Sequence, residues 1–421
     1  MSQTELMSYI ESAYKECTSR PGWVMYDMFQ HTLGTTNKMR FFDDLTETQS
    51  LGPKGTEMTY KIKKGRDASS AINDLFENTQ SMLVTCQLVR SIALYKGLLD
   101  YFCYRSGGKE GTKLFNDMFN KNLIIRDYDI PFGVSSFHGQ ALLKPDMEPP
   151  IHPLIYFIDF VSCTNARALE KGDLVYFYND PNYIIKHPSG NGRRIAAMVV
   201  GGDEFISFPD GVASSDRLST LLIDEFNRPL TLGGSHLPDI DAVPGIMLEN
   251  VMRVNYDRVN SLIENKNHLR FYHAYIQTLQ SEQKVAVGIR KGIRKGISDI
   301  SPSITLRDIQ KTAKRDYSLA VSQSNEKSYD KAHTYFSKAI AWYVLFLSIT
   351  DNKQLGYKFL TIAHSNFALS LSRSTSDGKH NASIYYHANE ALFCSISSSL
   401  SGDDKQKKQS LCERLISECA I

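Results

Sequence analysis

A chain of 421 residues has room for two to three domains of ordinary size. With 42% hydrophobic and 22% charged residues, wholesale disorder and collagen-like structure are excluded. The balance of 48 Lys and Arg against 46 Asp and Glu leaves a net charge of +2. That field is too weak to mark a nucleic-acid or membrane-surface protein.

The N-terminus, MSQTELMSYIESAYKE, lacks the basic start and apolar run of a secretory signal. No stretch of about 20 apolar residues predicts a membrane span. The expectation is a cytoplasmic protein, or one exported without a conventional signal peptide. Seven cysteines stand at 17, 86, 103, 163, 394, 412 and 419. The odd count and the lack of a CxxC pair predict free thiols in a reducing compartment. The histidines are isolated in sequence, so neither a metal centre nor a cofactor is expected. The aromatic residues are not interleaved with basic ones in a nucleic-acid recognition pattern.

In chain order, Met58 to Lys63 alternates as a strand, and Ala71 to Phe76 makes a short helical turn. Met82 to Tyr104 is apolar and broken only at Gly97, which predicts a buried helix. Leu174 to Tyr178 (LVYFY), Ile195 to Val200 (IAAMVV) and Glu204 to Phe208 (EFISF) read as antiparallel strands. Gly201-Gly202-Asp203 closes a hairpin between the last two. A helix follows from Ser215 to Phe226, and Asp173 in KGDLVYF reads as a turn residue. A long helix followed by a small sheet is an α+β pattern. The stretch from Gly233 to Gly245, GGSHLPDIDAVPG, reads as the start of a linker.

Beyond it the chain is almost wholly helical by periodicity. Gly288 to Ile297, GIRKGIRKGI, places four positive charges within ten residues. Glycine at every fourth position weakens a helix there, so a solvated connector is expected, the alternative being a contact for an acidic partner or phosphate. Ala320, Ala332, Phe336 and Ala339 fit a paired-helix repeat similar to a tetratricopeptide repeat, with a looser second unit from Tyr357 to Cys394 and a capping helix near Lys405 to Cys419. The predicted organisation is an α+β domain at 1–235, a linker with connecting helices at 236–300, and a helical domain at 301–421.

Cys86 is the candidate nucleophile, the alternative being a small core residue of an apolar helix. A thiol at the start of a helix faces unpaired backbone N–H groups and the positive end of the helix dipole, and both favour thiolate. The same N–H groups suit the oxyanion of a thioester-forming intermediate, and Ser81 or Thr85 would cap that end. A helix-start cysteine packed on a small sheet is the papain-type arrangement for acyl transfer.

The run KGRDASSAINDLFENTQSMLVTCQLVRSIALYKGLL, 64–99, with Ala71, Ile72, Asp74, Phe76, Asn78, Cys86, Tyr95 and Lys96, resembles the nucleophile segment of bacterial spore-coat type protein-glutamine γ-glutamyltransferases. The strand LEKGDLVYFYNDP, 169–181, and the hairpin from Ile195 to Phe208 resemble later blocks of the same family. They also resemble NlpC-type peptidases, which share the papain-like core. The resemblance covers about residues 40–230. It implies a papain-like transglutaminase core, followed here by an all-α, helical-repeat-like domain. It further implies a thiol acyltransferase acting on protein glutamine, with lysine or water as acceptor. Two acidic positions of the family fall on Thr85 and Ile195, and neither can take a proton from a thiol. His187 and His138 are therefore the candidate bases, and Asp203 a candidate to orient one of them. Two alternatives follow. One is an amidase or peptidase on the same core. The other is an inactive scaffold that binds proteins, with the helical domain supplying a partner surface.

Overall fold

The computed structural model describes residues 3–20, 23–25, 40–44, 59–77, 82–126, 152–161, 163–187, 190, 192–230, 234–248, 251–299, 305–350, 352–374, 380–396 and 398–419. The elements run α1 (Gln3–Thr18), β1 (Trp23–Met25), β2 (Phe42–Asp44), β3 (Thr59–Ile62), α2 (Ala68–Glu77), β4 (Met82–Val84), α3 (Cys86–Ser106), α4 (Gly108–Phe119) and β5 (Ile124–Arg126). They continue with β6 (Ile158–Val161), β7 (Leu174–Tyr178), α5 (Tyr183–Lys186), β8 (Arg194–Gly201), β9 (Glu204–Ser207), β10 (Gly211–Ser214), α6 (Ser215–Asn227), β11 (Gly245–Ile246), β12 (Val251–Val254) and α7 (Tyr256–Glu264). The last six helices are α8 (Lys266–Asp299), α9 (Leu306–Asn325), α10 (Tyr329–Ile349), α11 (Lys353–Ser374), α12 (Asn381–Ile396) and α13 (Gly402–Cys419). The fold is α+β. No described helix is long and apolar enough to cross a membrane.

The described residues divide into two compact units, the first ending at Glu264 and the second beginning at Asn265. The first is built on an antiparallel sheet of order β10-β9-β8-β7-β12-β6, with β11 added to β7. Side chains alternate across it. Val175, Phe177, Ala197, Val199 and Phe205 face Leu218 and Leu222 of α6, forming one apolar layer. The residues between them, Tyr176 and Ala196, face α3. The β8–β9 hairpin turns on Gly202-Asp203, where φ of +59° at Gly202 suits a residue without Cβ.

Gly97 breaks the apolar run because α1 crosses there. A Cβ on it would stand 2.6 Å from the Cα of Ile10. The glycine is the contact that seats α1 on α3.

Three sequence expectations change. First, the helix expected from Met82 starts later: 82–84 form β4, paired in parallel with β1, and α3 opens at Cys86. A short apolar run cannot reveal by periodicity where a strand gives way to a helix. Second, the expected linker, 236–300, is not a connector along its length. β12 lies inside the sheet between β7 and β6, and α7 closes the first unit. Arg253 of β12 bonds both oxygens of the fully buried Asp173 at 2.7 and 2.8 Å. Asp173 does accept a turn hydrogen bond, from the Glu170 N–H at 2.8 Å, but the ion pair is the larger interaction. Third, α8 runs helical through 288–297. The backbone tolerates glycines that each cost about 1 kcal/mol relative to alanine.

The second unit is mostly helical. Consecutive helices α9 to α13 pack neighbour on neighbour, and α8 lies against α10 and α12. Ala320, Ala332, Ala339, Ala363, Ala368, Ala388 and Ala391 are all buried in it. Their small side chains let the helix axes approach closely.

Candidate functional site

Cys86 is the first residue of α3. Thr85 is its N-cap, in extended conformation, with Oγ1 accepting from the Leu88 N–H at 3.2 Å. The Thr85 carbonyl accepts from the Val89 N–H at 3.0 Å. The cap fixes where the helix begins and therefore where the thiol stands. Cys86 as a residue is partly buried.

The sheet meets the thiol at Ala196. The pairing of β8 with β9 ends at Ala197–Ser207, so Ala196 lies one residue beyond the partner strand. Odd-numbered residues of β8 bond toward β7, as Val199 does with Asp173 and Gly172. The N–H and C=O of Ala196 therefore point to the edge that β9 has vacated. A buried strand edge must find partners. Here the Ala196 N–H donates to Cys86 Sγ at 3.4 Å, and its carbonyl accepts from the Tyr14 hydroxyl at 3.3 Å. Tyr14 is fully buried, and burial pushes its phenol well above the usual tyrosine range. The Arg90 charge opposes that shift, and Cys86 adds to it.

Arg90 lies one helical turn after Cys86 and is 1% exposed. Its guanidinium stacks on the Tyr176 ring at 4.5 Å, donates to the Tyr176 hydroxyl, and donates to the Val175 carbonyl at 3.4 Å. Arg194 stacks on the same ring at 4.6 Å. Neighbouring Arg193 is lowered from the usual arginine range by burial. The ring of Tyr176, the strand partner of Ala196, thus carries two positive charges, those of Arg90 and Arg194.

The other sequence candidates stand elsewhere. His187 is fully buried, with Nε2 bonded to the Phe226 carbonyl at 2.9 Å and its ring against Tyr183 and Phe226. That anchors it to the end of α6, on the sheet face opposite α3. Asp203 is exposed in the hairpin turn, at the end of β8 away from Ala196. His138 lies outside the described residues, as does Ser81. Neither His187 nor Asp203 is brought beside Cys86. Ile195 packs against the apolar layer under α6, so its side chain points away from the thiol. The register reason is simple: one step along a strand changes the face, and the residue at the thiol is Ala196.

Sequence reasoning missed Tyr14, Arg90, Tyr176 and Ala196. Arg90 left a signal, a charge inside the apolar run LVRSIAL at four-residue spacing from the cysteine. Tyr14 left none, because its position depends on how α1 crosses α3. Among the described residues, no group of three or more His, Cys, Asp or Glu is placed to hold a metal ion.

The family model for protein-glutamine gamma-glutamyltransferase matches residues 53–284. Among solved structures, the chain is similar to a transglutaminase from Geobacillus stearothermophilus, without its C-terminal extension, at 15% identity and a TM-score of 0.38. The match covers 62% of this chain and 94% of that one. No curated protein sequence matches significantly.

Proposed function

This chain belongs to the protein-glutamine gamma-glutamyltransferase family, and on that premise we propose that it transfers acyl groups from protein glutamine side chains through the thiol of Cys86. The observation that carries the reading is the sulfur of the partly buried Cys86 at the first residue of α3, with the Ala196 N–H 3.4 Å away. An N–H aimed at sulfur favours the charged thiolate. The first-turn N–H groups of α3 are suited to the oxyanion that forms on the substrate carbonyl.

In this reaction the thiolate attacks the carboxamide carbon. The C–N bond breaks, the leaving nitrogen takes a proton from water and departs as ammonia, and a thioester remains. A lysine amine then forms an isopeptide bond as the C–S bond breaks, and the amine's proton passes to solvent. Water in place of the amine gives glutamate. The test is incorporation of a fluorescent cadaverine into a glutamine-rich acceptor protein, with Cys86→Ala as control. Labelling by the native chain alone is expected, and equal signal from both proteins ends the reading.

In this account the second unit, similar to a tetratricopeptide-like stack, recruits the protein substrate and raises its effective concentration at the thiol. A second reading keeps the scaffold without the chemistry. It is favoured by Thr85, whose hydroxyl serves as a helix cap, and by Ile195, whose side chain joins the layer under α6. Under that reading the chain binds protein partners, and no amine incorporation or ammonia release accompanies binding.

A further inference from the structure

Arg90 is a buried cation whose hydrogen-bond partners are neutral. Its guanidinium donates to a phenol and to a backbone carbonyl, and its Nε has no hydrogen-bond partner. No carboxylate among the described residues forms an ion pair with it. Removing a guanidinium from water without a counter-charge is costly, and such groups are ordinarily paired. Arginine does not escape the cost by losing its proton.

The missing negative charge has one evident place. Arg90 follows Cys86 by four positions, so the two side chains leave the same face of α3, one turn apart. Tyr14 lies within electrostatic reach of both. Tyr176, which stacks against Arg90, is the strand partner of Ala196, whose N–H is on the sulfur. The cation and the thiol therefore share the same neighbours on α1 and the sheet, and the guanidinium is buried, where a charge pair interacts more strongly than in water.

We propose that Arg90 is a positioning residue that acts as the counter-ion of Cys86, holding its sulfur as thiolate in the resting protein. The inference rests on the acyl-transfer reading for its catalytic meaning and deepens it. The proton released on ionisation goes to solvent, because a guanidinium cannot accept it. Arg90 is thus not a general base. It lowers the free energy of the charged nucleophile, and Tyr176 keeps the guanidinium in place.

The test uses the full chain and no glutamine substrate. Alkylation of Cys86 by iodoacetamide is followed across pH by mass spectrometry of its peptide, alongside thiolate absorbance read as the difference between the native chain and Cys86→Ala. The native sulfur is expected to titrate at least about two units below the ordinary cysteine value of about 8.5. Arg90→Gln should move that midpoint up by about one unit or more, a roughly tenfold loss of alkylation rate just above the native midpoint. Arg90→Lys, which keeps the charge, should stay nearer the native chain. A native midpoint at or above about 8.5 overturns the proposal even if Arg90→Gln does not fold. Coincident midpoints for the native chain and a folded Arg90→Gln also overturn it. A shifted midpoint without amine incorporation would leave the counter-ion role standing and remove the acyl-transfer reading alone.

Discussion

Tyr14 and Cys86 meet at one residue of the sheet: the tyrosine hydroxyl donates to the Ala196 carbonyl at 3.3 Å, and the Ala196 N–H donates to the cysteine sulfur at 3.4 Å. The two side chains complete a strand edge that β9 leaves open after Ser207. Cys86 is thereby tied to α1, α3 and β8 at once.

Tyr14→Phe removes the hydroxyl and leaves the Ala196 carbonyl unsatisfied in a buried place. A loss of about 1–2 kcal/mol is expected in denaturant unfolding. Amine incorporation should fall several-fold, because the strand edge that holds the sulfur loosens. Unchanged activity with reduced stability would show that the Ala196 contact is structural only.

Gly97→Ala places a Cβ 2.6 Å from the Ile10 Cα and 2.9 Å from its N. Both are backbone atoms, so α1 itself must shift. The expected cost is about 1–3 kcal/mol in urea denaturation. Tyr14 is one turn from Ile10 on the same helix, so activity should fall with stability. A variant as stable and as active as the native chain would contradict the close crossing of α1 and α3.

Thr85→Val removes the oxygen that accepts the Leu88 N–H. Loss of an N-cap typically costs about 0.5–2 kcal/mol. Thr85→Ser should retain both stability and activity, since it keeps the acceptor. The comparison of the two by thermal melting separates the cap from the side-chain methyl group.

Arg253→Leu strands the Asp173 carboxylate in the interior. Breaking one partner of a buried pair costs about 3–5 kcal/mol, enough to bring the first unit close to unfolding at 25 °C. If residues 245–254 were a detached linker, the substitution would be silent in denaturation.

In the second unit, Glu282 accepts from the Ser337 hydroxyl at 2.9 Å and lies 3.9 Å from the His387 ring, which bonds His364 at 2.9 Å. Burial raises Glu282 from 4.5 to about 7. A raised carboxyl gives stability that is full below its unfolded value and is lost as pH climbs through about 7. Burial lowers His364 from 6.5 to about 3 and His387 well below 6.5. Their stability is present above 6.5 and lost as pH falls. Glu282→Gln keeps the acceptor for Ser337 and removes only the alkaline loss. Relative to the native chain it should gain about 2–3 kcal/mol between pH 5 and pH 8. Urea denaturation of the second unit's helical signal at both pH values measures this, and a pH-independent difference would refute it.

The sequence by itself determined the α+β class of the first half, the helical second half, the strands at 174–178 and 195–200, and a cysteine at the start of an apolar helix. These are properties of local pattern: alternation, periodicity and a cysteine at the edge of an apolar run. It could not determine which residues surround that cysteine. His187 and Asp203 looked available because both are polar and close to the hairpin in sequence, yet one is locked onto the end of α6 and the other sits at the far turn. Only tertiary structure decided that β12 completes the sheet, that Ala196 rather than Ile195 meets the sulfur, and that Tyr14 and Arg90 belong to the site. The physical reason is that register and helix crossing bring together groups as far as 182 residues apart, and a strand shifted by a single residue would have shown the thiol its other face.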